Sequence, residues 1–272
     1  MDNLKFFLGI GLAVVLVFCG AAVYTQMVKI APASAYSDRE TLYQVSTIDA
    51  LAQGSFEGVE PVKNLQKHGD FGIGTFDALD GEMVVLDGKI YQIRSDGVVY
   101  PANDSTTTPF ATVTVFDRDV TIPVAQPMNF TDLTTLISQK IPSKNMIYAV
   151  RVHGTFPSVT VRSIPAQQKP YPTLADAAKN QSVFTYTDVK GTIVGFYLPD
   201  FMKGLNMPGY HLHFISDDKK RGGHLLGFTA PADSTVELDL TPALATTLPN
   251  TTSFAGANLS IDTSADLARV ER

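Results

Sequence analysis

Three of the chain's five histidines stand close together, at His211, His213 and His224. In Tyr210-His211-Leu212-His213-Phe214-Ile215 the side chains alternate in character. Successive residues of a strand point to opposite faces, so His211 and His213 lie side by side while Leu212 and Phe214 take the other face. The polar, charged stretch from Ser216 to Gly223 ends in two glycines and reads as a hairpin loop. His224 then opens a returning strand, Leu225 to Phe228, that carries a third imidazole back toward the pair. A His-x-His pair alone could equally well meet solvent; the third histidine across the loop is what favours a metal. Three neutral imidazoles on rigid strands suit Zn²⁺ or another divalent first-row metal and leave positions open for water or substrate. A structural zinc site, by contrast, is closed by four protein ligands, commonly thiolates. The only cysteine is Cys19, so a catalytic site is the better reading. His68, beside Gly69, and His153, before Gly154, read as surface or partly buried polar residues rather than ligands. Gly72-Ile73-Gly74 lacks the third glycine and the following helix that dinucleotide binding requires.

Strands must hold these histidines, and the rest of the sequence supplies them. With 272 residues, 44% of them hydrophobic, the chain can bury a substantial core. Its 27 acidic and 21 basic residues are dispersed, giving a net charge of -6 and no basic patch for nucleic acid. Lys5 precedes an uncharged apolar run from Phe6 to Val23, so residues 1–30 read as a signal peptide or membrane anchor and the folded part as extracytoplasmic, tethered or secreted. Pro, Ala and Ser mark residues 31–40 as a linker. Short helices are expected near Val62 to Lys67 and over Thr131 to Lys140. Asp87-Gly88 between Glu82–Leu86 and Lys89–Arg94 marks a tight hairpin. Ala111 to Phe116 reads as a strand, and Met146 to Ile164 as long extended chain. Val183–Thr187 and Thr192–Leu198 are expected to pair through a turn at Lys190-Gly191. Three prolines between Pro165 and Pro172 suggest a boundary. The expected fold is α+β, with mixed or antiparallel sheets, few short helices and two strand-rich lobes at 41–165 and 166–272, the second carrying the metal.

Gly209-Tyr210-His211-Leu212-His213-Phe214 followed by Gly222-Gly223-His224 resembles the signature of the alpha-acetolactate decarboxylases. The resemblance continues through Gly69-Asp70-Phe71-Gly72-Ile73-Gly74-Thr75, Leu79-Asp80-Gly81-Glu82-Met83, Tyr148-Ala149-Val150, Gly154-Thr155-Phe156, and Arg162 with Pro170-Tyr171-Pro172. It implies His211, His213 and His224 as metal ligands, and Glu82, Arg162 and a C-terminal glutamate, Glu271, as active-site residues, with Thr75 as an accessory polar group. It also implies the substrate 2-acetolactate, the products acetoin and carbon dioxide, and a homodimer. Two rivals share the histidine pattern: a cupin-like dioxygenase, which would need a redox metal and oxygen, and an exported metal-binding module with no activity.

Overall fold

Alternating segments and short, fully buried runs become strands in the computed structural model, which describes residues 38–271 apart from Asp233. The apolar run Phe6 to Val23 and most of the linker lie outside these residues. Among the described residues no helix is long and apolar enough to cross a membrane. The strands are β1 (Thr41–Val45), β2 (Glu60–Pro61), β3 (Phe71–Thr75), β4 (Glu82–Leu86), β5 (Lys89–Ile93), β6 (Val99–Pro101), β7 (Thr107–Thr108) and β8 (Ala111–Thr114). They continue as β9 (Val120–Pro123), β10 (Met128–Asn129), β11 (Tyr148–Ser163), β12 (Ser182–Leu198), β13 (Gly209–Ser216), β14 (Gly222–Ala230), β15 (Thr235–Leu240) and β16 (Ala243–Thr247).

Two seven-stranded sheets result, in the orders β16-β1-β8-β3-β4-β5-β6 and β10-β14-β13-β12-β11-β15-β9. The first is mixed because β1 runs parallel to β16; the second is antiparallel. The length of β11 and β12 gives the second sheet its shape. β12 follows β11 along its whole course, whereas the first half of β11 pairs on its other side with β15 and the second half with β14. Since β14 also pairs with β13, and β13 with β12, these four strands close on themselves. Phe156, Val159, Val161, Leu212, Phe214, Leu225 and Phe228 fill the interior they enclose. The opposite face of the sheet, through Ala149, Val194, Phe196 and Ile215, packs on Leu42, Ile73, Val84 and Leu86 of the first sheet. Helix Phe130–Lys140, capped by Asn129, buries Leu133 and Ile137 against the enclosed core.

Phe156 is fully buried between Phe214 and Phe228, with ring centroids 5.6 and 6.2 Å away. Phe156→Ala is expected to cost about 3–5 kcal/mol, measurable by urea unfolding, because the stiff barrel strands cannot collapse into the cavity.

Several expectations meet their counterparts. The Asp87-Gly88 turn joins β4 to β5 with both residues at positive φ, 51° and 72°, as the tightest hairpins require. Others need correction. Val183–Thr187 and Thr192–Leu198 do not form a hairpin; they are two parts of the continuous β12, and Lys190 and Gly191 pair with Thr155 and Gly154. Gly191 is there for close packing, not turning: a Cβ would meet the Ile215 carbonyl at 2.5 Å and the Phe214 ring at the same distance. Gly222 and Gly223 likewise belong to β14 rather than to the loop, opposite Ile215 and Phe214. A Cβ on Gly223 would lie 2.5 Å from the Arg162 carbonyl, so glycine lets β14 fit against β11. Finally, Pro165 to Pro172 does not separate the sheets. β11 before it and β12 after it are neighbours, and β16 returns to the first sheet beside β1, so the sheets do not coincide with stretches 41–165 and 166–272. Long-range strand pairing overrides a break in local composition.

Candidate metal centre

The site forms where the layer between the two sheets reaches its end. His211, His213 and Ile215 share one face of β13, and Ile215 belongs to the core between the sheets. His224 is directly opposite His213, and Arg162 directly opposite His224. Directly paired residues of adjacent strands project to the same side, so His213, His224 and Arg162 form a row across β13, β14 and β11, facing the first sheet. There Thr75 and Glu82 are directly opposed on β3 and β4. Glu271 arrives from elsewhere: helix Ser264–Val270 buries Leu267 and Val270 among Ile48, Leu51, Phe110 and Leu174, which delivers the next residue to the histidines.

One nitrogen from each of His211, His213 and His224 lies within 4.8 Å of the others, and all three rings are buried. Ring centroids are 5.2–5.4 Å apart. His213 Nδ1 is 2.8 Å from the Met83 carbonyl, to which it donates, leaving Nε2 with its lone pair for a metal. His224 Nε2 donates in the same way to the Glu271 carbonyl at 3.2 Å, leaving Nδ1. Burial is the main reason that the pKa values of His213 and His224 fall well below 6.5, with Arg162 and the neighbouring imidazoles adding to it; burial lowers His211 as well. The rings are therefore neutral donors. Oriented tautomers, neutral imidazoles and converging lone pairs fit a divalent first-row metal.

Arg162 is the buried cation of the site. Its Nη1 donates to Glu82 Oε1 at 2.5 Å and its Nη2 to Glu271 Oε1 at 3.3 Å and the Val270 carbonyl at 3.2 Å. Its Nε is buried without a hydrogen-bond partner. Glu82 Oε2 is 3.7 Å from His213 Nε2, and Glu271 Oε2 is 3.2 Å from His211 Nε2 and 3.5 Å from His224 Nδ1. Burial pushes the Glu82 carboxyl up to about 7; Arg162 opposes the rise and the charge of Glu271 adds to it. Thr75 is buried, and its hydroxyl donates to the Gly81 carbonyl at 2.7 Å, which steadies the turn before Glu82. The structure thus brings together all seven residues singled out in the sequence. The remaining lining was not anticipated: Ile48, Leu51, Leu79, Phe110, Ile164 and Leu174 wall the cavity, whose volume is about 20 Å³. Apolar residues carry no signal that separates a cavity wall from ordinary core, and the carbonyls of Met83, Val270 and Glu271 carry none at all.

Comparison with known proteins assigns this geometry to a family. Residues 42–261 match the alpha-acetolactate decarboxylase family model. A curated alpha-acetolactate decarboxylase of Methanosarcina mazei is 48% identical over 233 residues, covering 86% of this chain and 81% of the relative. The chain belongs to the alpha-acetolactate decarboxylase family. It is therefore a member of an enzyme family. A Methylococcus capsulatus decarboxylase is 41% identical over 82% of this chain and 85% of its own length. The crystal structure of the Bacillus subtilis strain 168 alpha-acetolactate decarboxylase superposes with a TM-score of 0.82 at 38% identity, covering 85% of this chain and 99% of that one. The family match includes Thr75, Glu82, Arg162 and the three histidines and stops short of Glu271, whose place in the site comes from the packing of the C-terminal helix.

Proposed function

We propose that the chain is a metal-dependent decarboxylase that converts 2-acetolactate to acetoin and carbon dioxide through an enediolate. The observation that carries this reading is the convergence of three buried, neutral imidazoles with one arginine and two glutamates in a walled cavity, in a chain of this family. Breaking the bond between the carboxylate carbon and the carbinol carbon leaves an electron pair that the adjacent ketone accepts. Protonation of the former carbinol carbon then gives acetoin. A divalent ion held by His211, His213 and His224 would supply Lewis-acid stabilisation of the negative charge that develops on the substrate oxygens, an effect of several kcal/mol.

The side chains account for the rest. Arg162, with one charge and an unpartnered Nε–H, orients the substrate carboxylate and stabilises the anion. Charge favours an anionic substrate: with Glu82 holding the proton that it delivers, a divalent ion (+2), Arg162 (+1) and Glu271 (-1) sum to +2, an excess of positive charge that draws in a monocarboxylate. Glu82 is assigned the delivery of the proton, since burial keeps its carboxyl in the range where it can still hold one. Glu271, against two of the ligand nitrogens, is in place to add an oxygen donor to the ion. The apolar wall accommodates the methyl groups and keeps bulk water from the carbanionic carbon.

The test is direct. Purified, zinc-loaded full-length protein incubated with racemic 2-acetolactate should release carbon dioxide and form a single acetoin enantiomer well above the spontaneous rate; no enhancement would overturn the assignment. From the apolar run Phe6 to Val23 we further propose that the enzyme works outside the cytoplasm, tethered or secreted, and from its family that it is a homodimer; cell fractionation and sedimentation test these points.

A further inference from the structure

We propose that Glu40, Asp119 and Asp239 form a second cation site, suited to Ca²⁺ and separate from the histidine centre, at the seam where the two sheets are joined. One carboxylate oxygen from each lies within 4.8 Å of the others. Asp239 is on β15 directly opposite Ala149, on the face that packs against the first sheet, and is 1% exposed. Its Oδ2 is buried with no hydrogen-bond partner. Asp119 is held beside it: its amide donates to the Leu238 carbonyl at 2.9 Å and its Oδ2 accepts from the Leu240 amide at 2.8 Å. Glu40 directly precedes β1 of the other sheet. Two residues beyond Asp239, Thr241 is also fully buried and leaves its Oγ1 without a partner.

A buried carboxylate with one oxygen unpartnered, among other carboxylates, is a costly arrangement that a bound cation resolves. The charged groups acting on Asp239 are Glu40, Asp119 and Asp117, all acidic; together with burial, the largest cause, they push its carboxyl up to about 8. The same neighbours and burial raise Glu40, with only Arg39 opposing. The donors are all oxygen, with no imidazole or thiolate, which selects a hard cation, and Ca²⁺ accepts such carboxylates at about 2.3–2.6 Å in irregular geometry. An ion here would fasten the segment entering β1 to the end of β15 and the start of β9, so that β1 and β15, from different sheets, are held together.

The experiment uses the full-length protein with its histidine centre zinc-loaded and calcium removed by dialysis. Calorimetric titration with CaCl₂ should show one site per chain, with a dissociation constant of about 10⁻⁴–10⁻³ M. The unfolding temperature should rise by about 3–6 °C in 10 mM CaCl₂ relative to NaCl of equal ionic strength. Asp239→Asn and Glu40→Gln should each abolish both the binding and the shift while leaving turnover of acetolactate unchanged. Absence of binding heat and of any shift in the unaltered protein would overturn the proposal, as would an undiminished shift in both variants. The readouts are binding and stability, so this result stands or falls independently of the decarboxylase assignment.

Discussion

Glu82→Gln is expected to lower kcat for acetolactate by about 10²- to 10⁴-fold while metal content stays at one per chain. Glutamine occupies the same volume and its amide oxygen can still accept from Arg162 Nη1, which now reaches Glu82 Oε1 at 2.5 Å. Arg162 also keeps Glu271 and the Val270 carbonyl, so no buried charge is stranded and the fold should persist. What glutamine cannot do is give up a proton near neutral pH. Elemental analysis beside steady-state kinetics separates the possibilities. Normal turnover removes Glu82 from the mechanism, and loss of metal together with activity makes it a support for the ligands instead. Product analysis adds a second readout, because a proton arriving from water rather than from one fixed carboxyl should yield both acetoin enantiomers.

His211→Ala should lose both the metal and the activity, with a fall of at least about 10³-fold, the kinetic equivalent of the several kcal/mol that a Lewis acid contributes. His211 is the informative choice. His213 is tied through its second ring nitrogen to the Met83 carbonyl of the first sheet and His224 to the Glu271 carbonyl at the end of the C-terminal helix, so removing either also disturbs the packing that builds the site. His211 has Glu271 Oε2 as its neighbour at 3.2 Å. Its truncation thus tests the metal more than the fold. A chelator should inactivate the unaltered enzyme, and added zinc should restore it but not the variant. Full activity in metal-free protein would sink the proposed mechanism. Because burial keeps the three imidazoles unprotonated, protons compete weakly for these nitrogens, and metal retention should extend into mildly acidic solution.

Local chemistry made part of this molecule legible in advance. The period-two placement of His211 and His213, the turn at Asp87-Gly88, and the helix ending at Lys140 depend on neighbours in sequence, where backbone geometry leaves little choice. The family resemblance then pointed to Glu82, Arg162 and Glu271, which composition and spacing alone could not distinguish from surface charges. Whether those residues meet was decided by registers between distant strands: Arg162 opposite His224, Thr75 opposite Glu82. Local pattern misled where glycine served packing instead of turning, as at Gly191 and Gly223, since a missing Cβ looks the same in either role. The apolar cavity wall, the arrival of Glu271 on its short helix, and the carboxylate cluster around Asp239 belong to the tertiary structure alone. Each joins residues far apart in the chain, and their encounter depends on how two sheets pack, a property that no single segment encodes.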